Sequence, residues 1–491
     1  MFLGIDLGTS GVKTLLIDAE QRVIDSASAP LNVSHPSDGW SEQCPSDWVR
    51  ATRDAIDRLR HSNPKAFSAL RGIGLSGQMH GAVLVDAAGV PLRPCILWND
   101  TRSHREAAKL NADGRFRTIS GNAVFPGFTA PKLEWVRRNE PKLFASIAKV
   151  LLPKDYLRFW LTGEYVSDVT DASGTCWLDV GRRCWSAELL SAVGLTVAQM
   201  PRLVESSETA GILLYELAKY WGLSGRVIVA GGAGDNAAAA CGAGIVRQGD
   251  ALLSLGTSGV LFCPVDAYRT DDSVGGVHTF CFLPAMWHQM GVILSATDSL
   301  NWLAKAIGGD SAFLPNDLTA ELGTDLNAPG AVIFLPYLSG ERTPHNDAIV
   351  RGCFTGLSHK TDRKALTQAV LEGVAFAFRD SLEALCDNGT KRPSRIVATG
   401  GGIRCAYWMK LIATVLGIVI EVPSEERGNL GAAFGAARLG MIAAEGLDPL
   451  RVCTSPPIGQ RFEPNKELME PFGRNYRRYR TLYPALRSIN E

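Results

Sequence analysis

The sequence has no net charge: its fifty Lys and Arg offset fifty Asp and Glu. The whole-molecule field that draws proteins to nucleic acid or to anionic membrane is therefore missing, so any phosphate must be held by local chemistry. There is no CxxC pair among the eleven cysteines, an odd number spread from Cys44 to Cys453. That spacing fits neither a disulfide framework nor a zinc ribbon and points to the reducing cytoplasm. No apolar run approaches the ~18 residues of a membrane span. The opening MFLGIDLGTS places Asp6 inside its first apolar stretch with no basic leader segment. A soluble cytoplasmic protein is expected, with neither nucleic acid nor membrane as partner. No segment is low in complexity.

What the chain has in excess is glycine, 50 of 491 residues, against an average usage of about 7%. Its length suits two or three domains. LGTSGV occurs twice, at Leu7–Val12 and Leu255–Val260, half the chain apart. Each copy reads as an apolar strand, a Gly-Thr-Ser-Gly turn and a second apolar run, which is a β-hairpin with a glycine-rich tip. Two similar units in tandem are expected, over residues 1–246 and 247–491. Further strands are expected over 227–230, 331–335 and 395–399, and helices over 46–59, 131–138, 154–161, 364–386, 407–416 and 429–444. The class is α/β with mixed sheets. Residues 101–222, the longest stretch without clear strands, read as a helical insertion on the first unit.

The chemistry-bearing segments begin with the two tips. Glycines let the backbone approach a ligand and present N–H groups in a concave nest, and the hydroxyls of Thr9, Ser10, Thr257 and Ser258 add donors. Lys13 adds local positive charge, so two facing hairpins suit a polyphosphate. A single GTSG is more often a mere turn, and the repetition at half-chain spacing reverses that balance. The copies differ in one respect: Asp6 of the first is Ser254 in the second, so only one can hold a divalent ion or its water shell. Gly231, Gly232 and Gly234 follow an apolar strand and precede Asp235 and a helix of small residues. A carboxylate at the carboxyl end of a strand can accept a proton from a substrate hydroxyl. Capping of that helix by Asp235 or Asn236 is an equally good reading from the residues alone. Gly400–Gly402 leave the backbone bare for a ring or phosphate, with Arg404 to stack or pair, though a GGG run by itself says little. Two polar segments, SGQMHG and LWNDTR, offer Gln78, His80, Asn99 and Asp100 as donors and acceptors and Met79 and Trp98 as apolar walls. That mixture suits a sugar. His80 alone is more often structural, and no His or Cys at ligand spacing supports a metal there.

On these residues, with WSEQCPSDW, GFTAPKLEW, LLPKDYLR and PYLSGERTPHN, the sequence resembles the FGGY family of carbohydrate kinases nearly end to end. The family signature from Gly127 is complete, while the one from Gly352 to Glu372 departs only at Ala365. The resemblance implies two actin-like, ribonuclease H-like domains with a cleft between them, sugar bound mainly by the first and ATP mainly by the second. It implies Asp235 as catalytic base, Asp6 beside magnesium, and Met79 with His80 as the ketose-binding pair. Gln78, Trp98 and Asp100 join them as expected sugar contacts. Gly8, Thr9, Ser10, Lys13, Gly256, Thr257, Ser258, Gly401, Gly402 and Arg404 are expected on ATP. On the adenine side the match is looser, with Cys405 at a position where Ser is commoner and Gly428–Asn429 in place of an apolar pair. QMHG stands where glycerol-specific members carry an Arg-Glu segment, so a ketose is expected: D-xylulose, phosphorylated at C5 by ATP with Mg2+. A homodimer is the assembly the family implies. The rivals are a kinase for another ketose or a polyol such as D-ribulose or glycerol, and a non-catalytic actin-like nucleotide-binding protein.

Overall fold

The computed structural model describes every residue except 271–275, 309–313, 425–430 and 491. The expected Gly428–Asn429 segment thus lies outside the described residues. In the first unit β1 (Phe2–Leu7), β2 (Gly11–Ile17) and β3 (Val23–Pro30) form an antiparallel meander. Strand β4 (Gly72–Gly77) joins β1 in parallel, β5 (Thr209–Ile212) forms an antiparallel edge, and β6 (Ile228–Ala230) lies parallel between β4 and β5. The sheet order is β5-β6-β4-β1-β2-β3, with the short β7 (Ala233–Gly234) also on β4.

The second unit repeats this plan. Strands β8 (Asp250–Leu255) and β9 (Gly259–Val265) make the hairpin, and β10 (His278–Cys281) and β11 (Trp287–Ile293) extend it antiparallel. Strands β12 (Arg395–Thr399) and β13 (Val419–Pro423) are parallel, and β14 (Ile458–Phe462) closes the edge antiparallel. The order β14-β13-β12-β8-β9-β11-β10 repeats the six strands of the first sheet's path and adds β10 at the far edge. Both faces of the central strands are covered, which is why they are apolar on both faces. Leu3, Ile5 and Leu7 point into one core with Trp48 and Ile56, whereas Phe2, Leu15 and Ile17 point into another.

The expected helices are present as α1 (Pro45–Ser62), α2 (Thr129–Asn139), α3 (Pro153–Thr162), α5 (Arg363–Asp387) and α6 (Ala406–Leu416). Proline sits in the first turn of α1 and α3, where its missing N–H costs nothing. The helix expected from residue 429 is described from Ala432 to Glu445, as α7. Ile333–Leu335 is a strand but pairs only with Cys353–Thr355, outside both main sheets.

One expectation fails. Residues 101–222 are not a single insertion, because β5 is an edge of the main sheet and α3 joins its core through Leu157 and Leu161. Short ladders, Val83–Val85 with Lys149–Leu151 and Val166–Asp168 with Arg202–Val204, also run through this stretch. The strand β5 reads TAGI, with a small residue and a glycine at its centre. It therefore carries none of the apolar alternation by which strands are recognised.

Two helices join the units. In α4 (Asp235–Ala243) every buried residue is small, and α7 buries Ala433, Gly435, Ala436, Ala437 and Gly440 beside larger side chains. Helix α7 lies on the first sheet: a Cβ added at Gly4 would meet the Ala437 nitrogen at 2.7 Å, and one at Gly74 the Gly440 nitrogen at 2.8 Å. The two helices touch backbone to backbone, since a Cβ at Gly435 would come within 2.9 Å of the Gly242 nitrogen. On the other side Ala239 and Ala243 of α4 face Leu252 and Val397 of the second sheet across a narrow cavity of about 50 Å³. Each unit thus sends a helix towards the sheet of the other. Among the described residues, no helix is long and apolar enough to cross a membrane.

Candidate active site

The β1–β2 register pairs Asp6 with Lys13 and closes the first tip through Gly8 N–H to Gly11 O, 3.0 Å. Side chains around the tip fix its shape. The Thr9 hydroxyl donates to Gln78 Oε1 at 3.0 Å and accepts from Trp98 Nε1 at 3.0 Å. Gln43 donates from Nε2 to the Thr9 carbonyl at 2.7 Å, and its Oε1 accepts from Gln78 Nε2 and Trp48 Nε1, each at 3.0 Å. Gln78, expected on the sugar, is therefore buried and committed to holding the tip. Trp98 is half-exposed and braces the same tip by its indole N–H. The Thr9 hydroxyl is spent on these two side chains, while Ser10 is exposed.

Asp235 opens α4 directly after β7. Gly234 takes the N-cap position, and Asp235, as the first helical residue, serves the helix start only through the N–H of its neighbour. Its Oδ1 accepts from Asn236 N–H at 2.7 Å and from Asn236 Nδ2 at 3.0 Å. Burial, reinforced by the negative charge of Asp6, pushes its pKa up to about 7. Burial likewise raises Asp6, against the pull of Lys13, and the Asp6 Oδ1 atom is buried with no partner. Two carboxylates close enough to repel each other are what a cation between them, or a proton shared with a substrate, would relieve.

Met79 packs against the Asp235 turn, since a Cβ at Gly234 would lie 2.8 Å from its sulfur. His80 follows in a left-handed backbone conformation, φ 70°, which a non-glycine residue holds only when its surroundings fix it. Lys132, fully buried, donates to the His80 carbonyl at 2.8 Å and to Gly127 O at 2.7 Å, and Thr129 Oγ1 adds a bond to His80 O at 3.2 Å. Burial pushes the Lys132 pKa down to about 7. The His80 ring stacks on Phe128 at 4.5 Å, and its Nδ1 lies 2.9 Å from Gly174 O. A carbonyl only accepts, so Nδ1 carries the proton and Nε2 is left as an acceptor. Burial holds this imidazole neutral, with a pKa of about 3.

Asp100 does not join this group. It is fully buried, and its two oxygens accept from Ser41 N–H at 2.6 Å, Arg102 N–H at 3.0 Å and the Arg102 guanidinium at 2.7–3.0 Å. Arg102 in turn bridges to Glu42 and lies over Trp40 at 3.6 Å. The LWNDTR segment thus places Asp100 in a closed ion pair, which leaves no lone pair for a sugar.

A charged cluster lies behind the Asp235 turn. Lys154, fully buried, meets Asp155 at 2.8 Å, Asp171 at 3.1 Å and Asp168. Arg158 meets Asp155 at 2.8 Å and donates to the carbonyls of Val166, at 2.6 Å, and Gly231. Thr170 Oγ1 accepts from Gly234 N–H at 3.0 Å, so the turn is tied at both ends. The three carboxylates are grouped closely enough for a metal, but the lysine ammonium occupies their centre. They hold its pKa above the usual lysine value despite its burial. The roles of Lys132 and Lys154 are not read from the sequence, although GFTAPKLEW and LLPKDYLR both stand out there. The available signal is a lysine on an otherwise apolar helical face, which needs the fold to show what it meets.

The second hairpin mirrors the first. Ser254 pairs in parallel with Thr399 as Asp6 pairs with Ser76. Its tip is held by Gly256 N–H to Ser258 O at 3.1 Å, and by Thr297, which donates to Gly256 O from N–H at 2.9 Å and from Oγ1 at 2.8 Å. Gly400, at φ 97°, crosses the Leu255 backbone, where a Cβ would meet the Leu255 carbonyl oxygen at 2.6 Å. Nothing lies within 4 Å of a Cβ at Gly401, and Gly402 is buried against Leu255. Arg404 is exposed. The cavity lined by Val397, Thr399 and Ile403 adjoins this glycine run.

Comparison with known proteins agrees with these two halves. The N-terminal domain of the FGGY family of carbohydrate kinases matches residues 1–242, and the C-terminal domain of the same family matches 251–444. Xylulose kinase of Escherichia coli strain K12 is 44% identical over 489 residues, covering 99% of each chain. Xylulose kinase of Klebsiella pneumoniae is 45% identical over 451 residues, 90% of each. The crystal structure of a xyloylose kinase from Brucella ovis superposes with a TM-score of 0.97 at 60% identity, covering 99% of both chains. That of xylulose kinase from Rhodospirillum rubrum gives 0.91 at 30% identity over the same shares.

Proposed function

The chain belongs to the FGGY family of carbohydrate kinases, built as two actin-like, ribonuclease H-like domains, and from that premise we propose how this ATP-dependent sugar kinase works and on what. The acceptor is D-xylulose, the product D-xylulose 5-phosphate. Relatives that match 89–99% of the chain are xylulose kinases, and the arrangement of Asp235 supports a sugar hydroxyl as acceptor. Its carboxylate is steadied by Asn236 through one oxygen and follows Gly234, against which Met79 packs.

In the transfer, the C5 oxygen bonds to the γ-phosphorus as the bond to the bridging oxygen of ADP breaks. The hydroxyl proton passes to Asp235. In a loose transition state this proton leaves late, so Asp235 chiefly orients the nucleophile. Met79 and His80 hold the sugar, with Nε2 accepting a hydrogen bond from one of its hydroxyls. The backbone N–H groups of the two tips, Thr9–Ser10 and Thr257–Ser258, with Lys13, take the polyphosphate. The Gly401–Gly402 run, Arg404 and the adjoining cavity take the nucleoside end.

Magnesium fits Asp6, whose Oδ1 is buried without a partner beside a second carboxylate. Held there, the ion would neutralise charge on the β and γ phosphates.

A coupled ADP assay with D-xylulose, D-ribulose, L-xylulose and glycerol tests the reading. D-Xylulose should give the highest kcat/KM, and another acceptor ranking first would refute the substrate. Asp235→Ala should remove sugar-dependent ADP release, by roughly 100-fold or more, and leave ATP binding intact. Near-normal turnover in that variant would remove Asp235 from its role.

A further inference from the structure

The aromatic platform that carries His80 continues across to the second unit. Phe125 packs edge-on to Phe128 at 5.4 Å, and Phe128 stacks on His80. From the second unit, His278 packs on Phe125 at 5.2 Å and on Phe128 at 5.5 Å. Arg342 lays its guanidinium over Phe125 at 4.8 Å.

Both of these polar groups lack partners. His278 is 1% exposed, and neither ring nitrogen has a hydrogen bond. Among the described residues the Arg342 guanidinium makes no hydrogen bond or ion pair; its backbone N–H alone bonds, to Glu341 Oε1 at 2.8 Å. Glu341 turns that oxygen also to Leu294 N–H at 3.0 Å and leaves Oε2 unpaired, so the neighbouring carboxylate does not engage the cation. The segment itself is fixed: Thr343 exchanges two hydrogen bonds with Val292 of β11, each 3.0 Å, and Thr343 Oγ1 donates to Gly276 O at 3.0 Å. The Arg342 side chain is partly exposed, so solvent meets its donors in the free chain and a ligand entering beside the platform can take them.

The order of residues indicates which part of the ligand that is. From Asp6 and Asp235 the contacts run to Met79, then His80, then Phe128 and Phe125, then Arg342 and His278. A pentulose with its C5 hydroxyl at Asp235 extends its C1–C2 end along this series. The guanidinium only donates and a ketone oxygen only accepts. We propose that Arg342, with His278 beside it, completes the sugar site from the second unit by donating to the C2 carbonyl end of the ketose. The inference rests on the assignment of D-xylulose to this site. It makes Arg342 a specificity-determining residue that only the joined units supply.

Steady-state kinetics of Arg342→Met tests this. The KM for D-xylulose should rise by roughly tenfold or more, the range of a charge-assisted hydrogen bond, while the KM for ATP stays within about twofold of wild type. The preference for D-xylulose over xylitol, which has a hydroxyl in place of that carbonyl, should fall in the same proportion. Arg342→Lys keeps the charge and loses the fork, so it should fall between the two; it serves if the Met variant does not fold. An unchanged sugar KM and an unchanged xylulose-to-xylitol ratio in a folded variant would overturn the proposal and leave the kinase reading standing. Failure of the wild type to use D-xylulose would instead remove the substrate assignment, and this inference with it.

Discussion

Asp235 must be ionised to receive a proton, and its pKa is pushed up to about 7 by burial and by Asp6. With Asp235 protonated below that value, kcat/KM for the sugar should climb as pH rises through about 7, and a profile flat from pH 5.5 to 8.5 would separate Asp235 from the proton step. The same shift has a sign for stability. An unfolded aspartate titrates near 3.9, so between about pH 4 and 7 the folded state binds more protons than the unfolded one, and stability falls as pH rises. Asp235→Asn should therefore raise Tm more at pH 8 than at pH 5. At this scale the sequence shows only part of the site. Asp6, Met79, His80 and Asp235 stand out by motif and fall together. Gln78 and Asp100 have the right chemistry for a sugar but spend it on Thr9, Gln43 and Arg102, because a polar side chain's partner depends on contacts distant in the chain. Lys132, which holds the His80 carbonyl, is invisible until the helix that carries it is placed.

The hairpins are the clearest elements in the sequence, because a duplicated turn between apolar runs specifies both strands and their register. Strand β5 is hidden for the opposite reason, being too short and small to alternate, whereas helix α3 is legible as a helix and only the burial of its charges, Lys154, Asp155 and Arg158, is not. The two hairpins occupy equivalent places in their sheets, so their one difference can be exchanged. Ser254 sits where the first copy has Asp6. A carboxylate introduced by Ser254→Asp would face the polyphosphate with no second carboxylate to share a cation. The KM for ATP should rise by roughly tenfold, as for a like charge a few ångströms away in a partly solvated site, and the KM for sugar should change little. Equal changes in both would show that the second tip does not face the nucleotide.

At the scale of the whole molecule, the join between the units depends on small residues. Helices α4 and α7 approach so closely that a single methyl at Gly435 would press on the Ala238 carbonyl and the Gly242 nitrogen. Gly435→Ala should lower stability by about 1–3 kcal/mol, the usual cost of overpacking, measurable as a fall in Tm. No change would mean that the helices can part without cost. The charge balance has its place here too: a chain of zero net charge has no basic whole-molecule field to attract phosphate, which on the proposed function leaves that task to the N–H groups of the two tips. The crossing of α4 and α7 makes the chain an intramolecular counterpart of a domain-swapped dimer. During synthesis the first sheet emerges long before α7, so the glycine-lined face of Gly4, Gly72 and Gly74 stays uncovered on the nascent chain until nearly the last residues leave the ribosome. Cut near residue 246, each half alone would lose the core around α4 and α7 that the two halves build together.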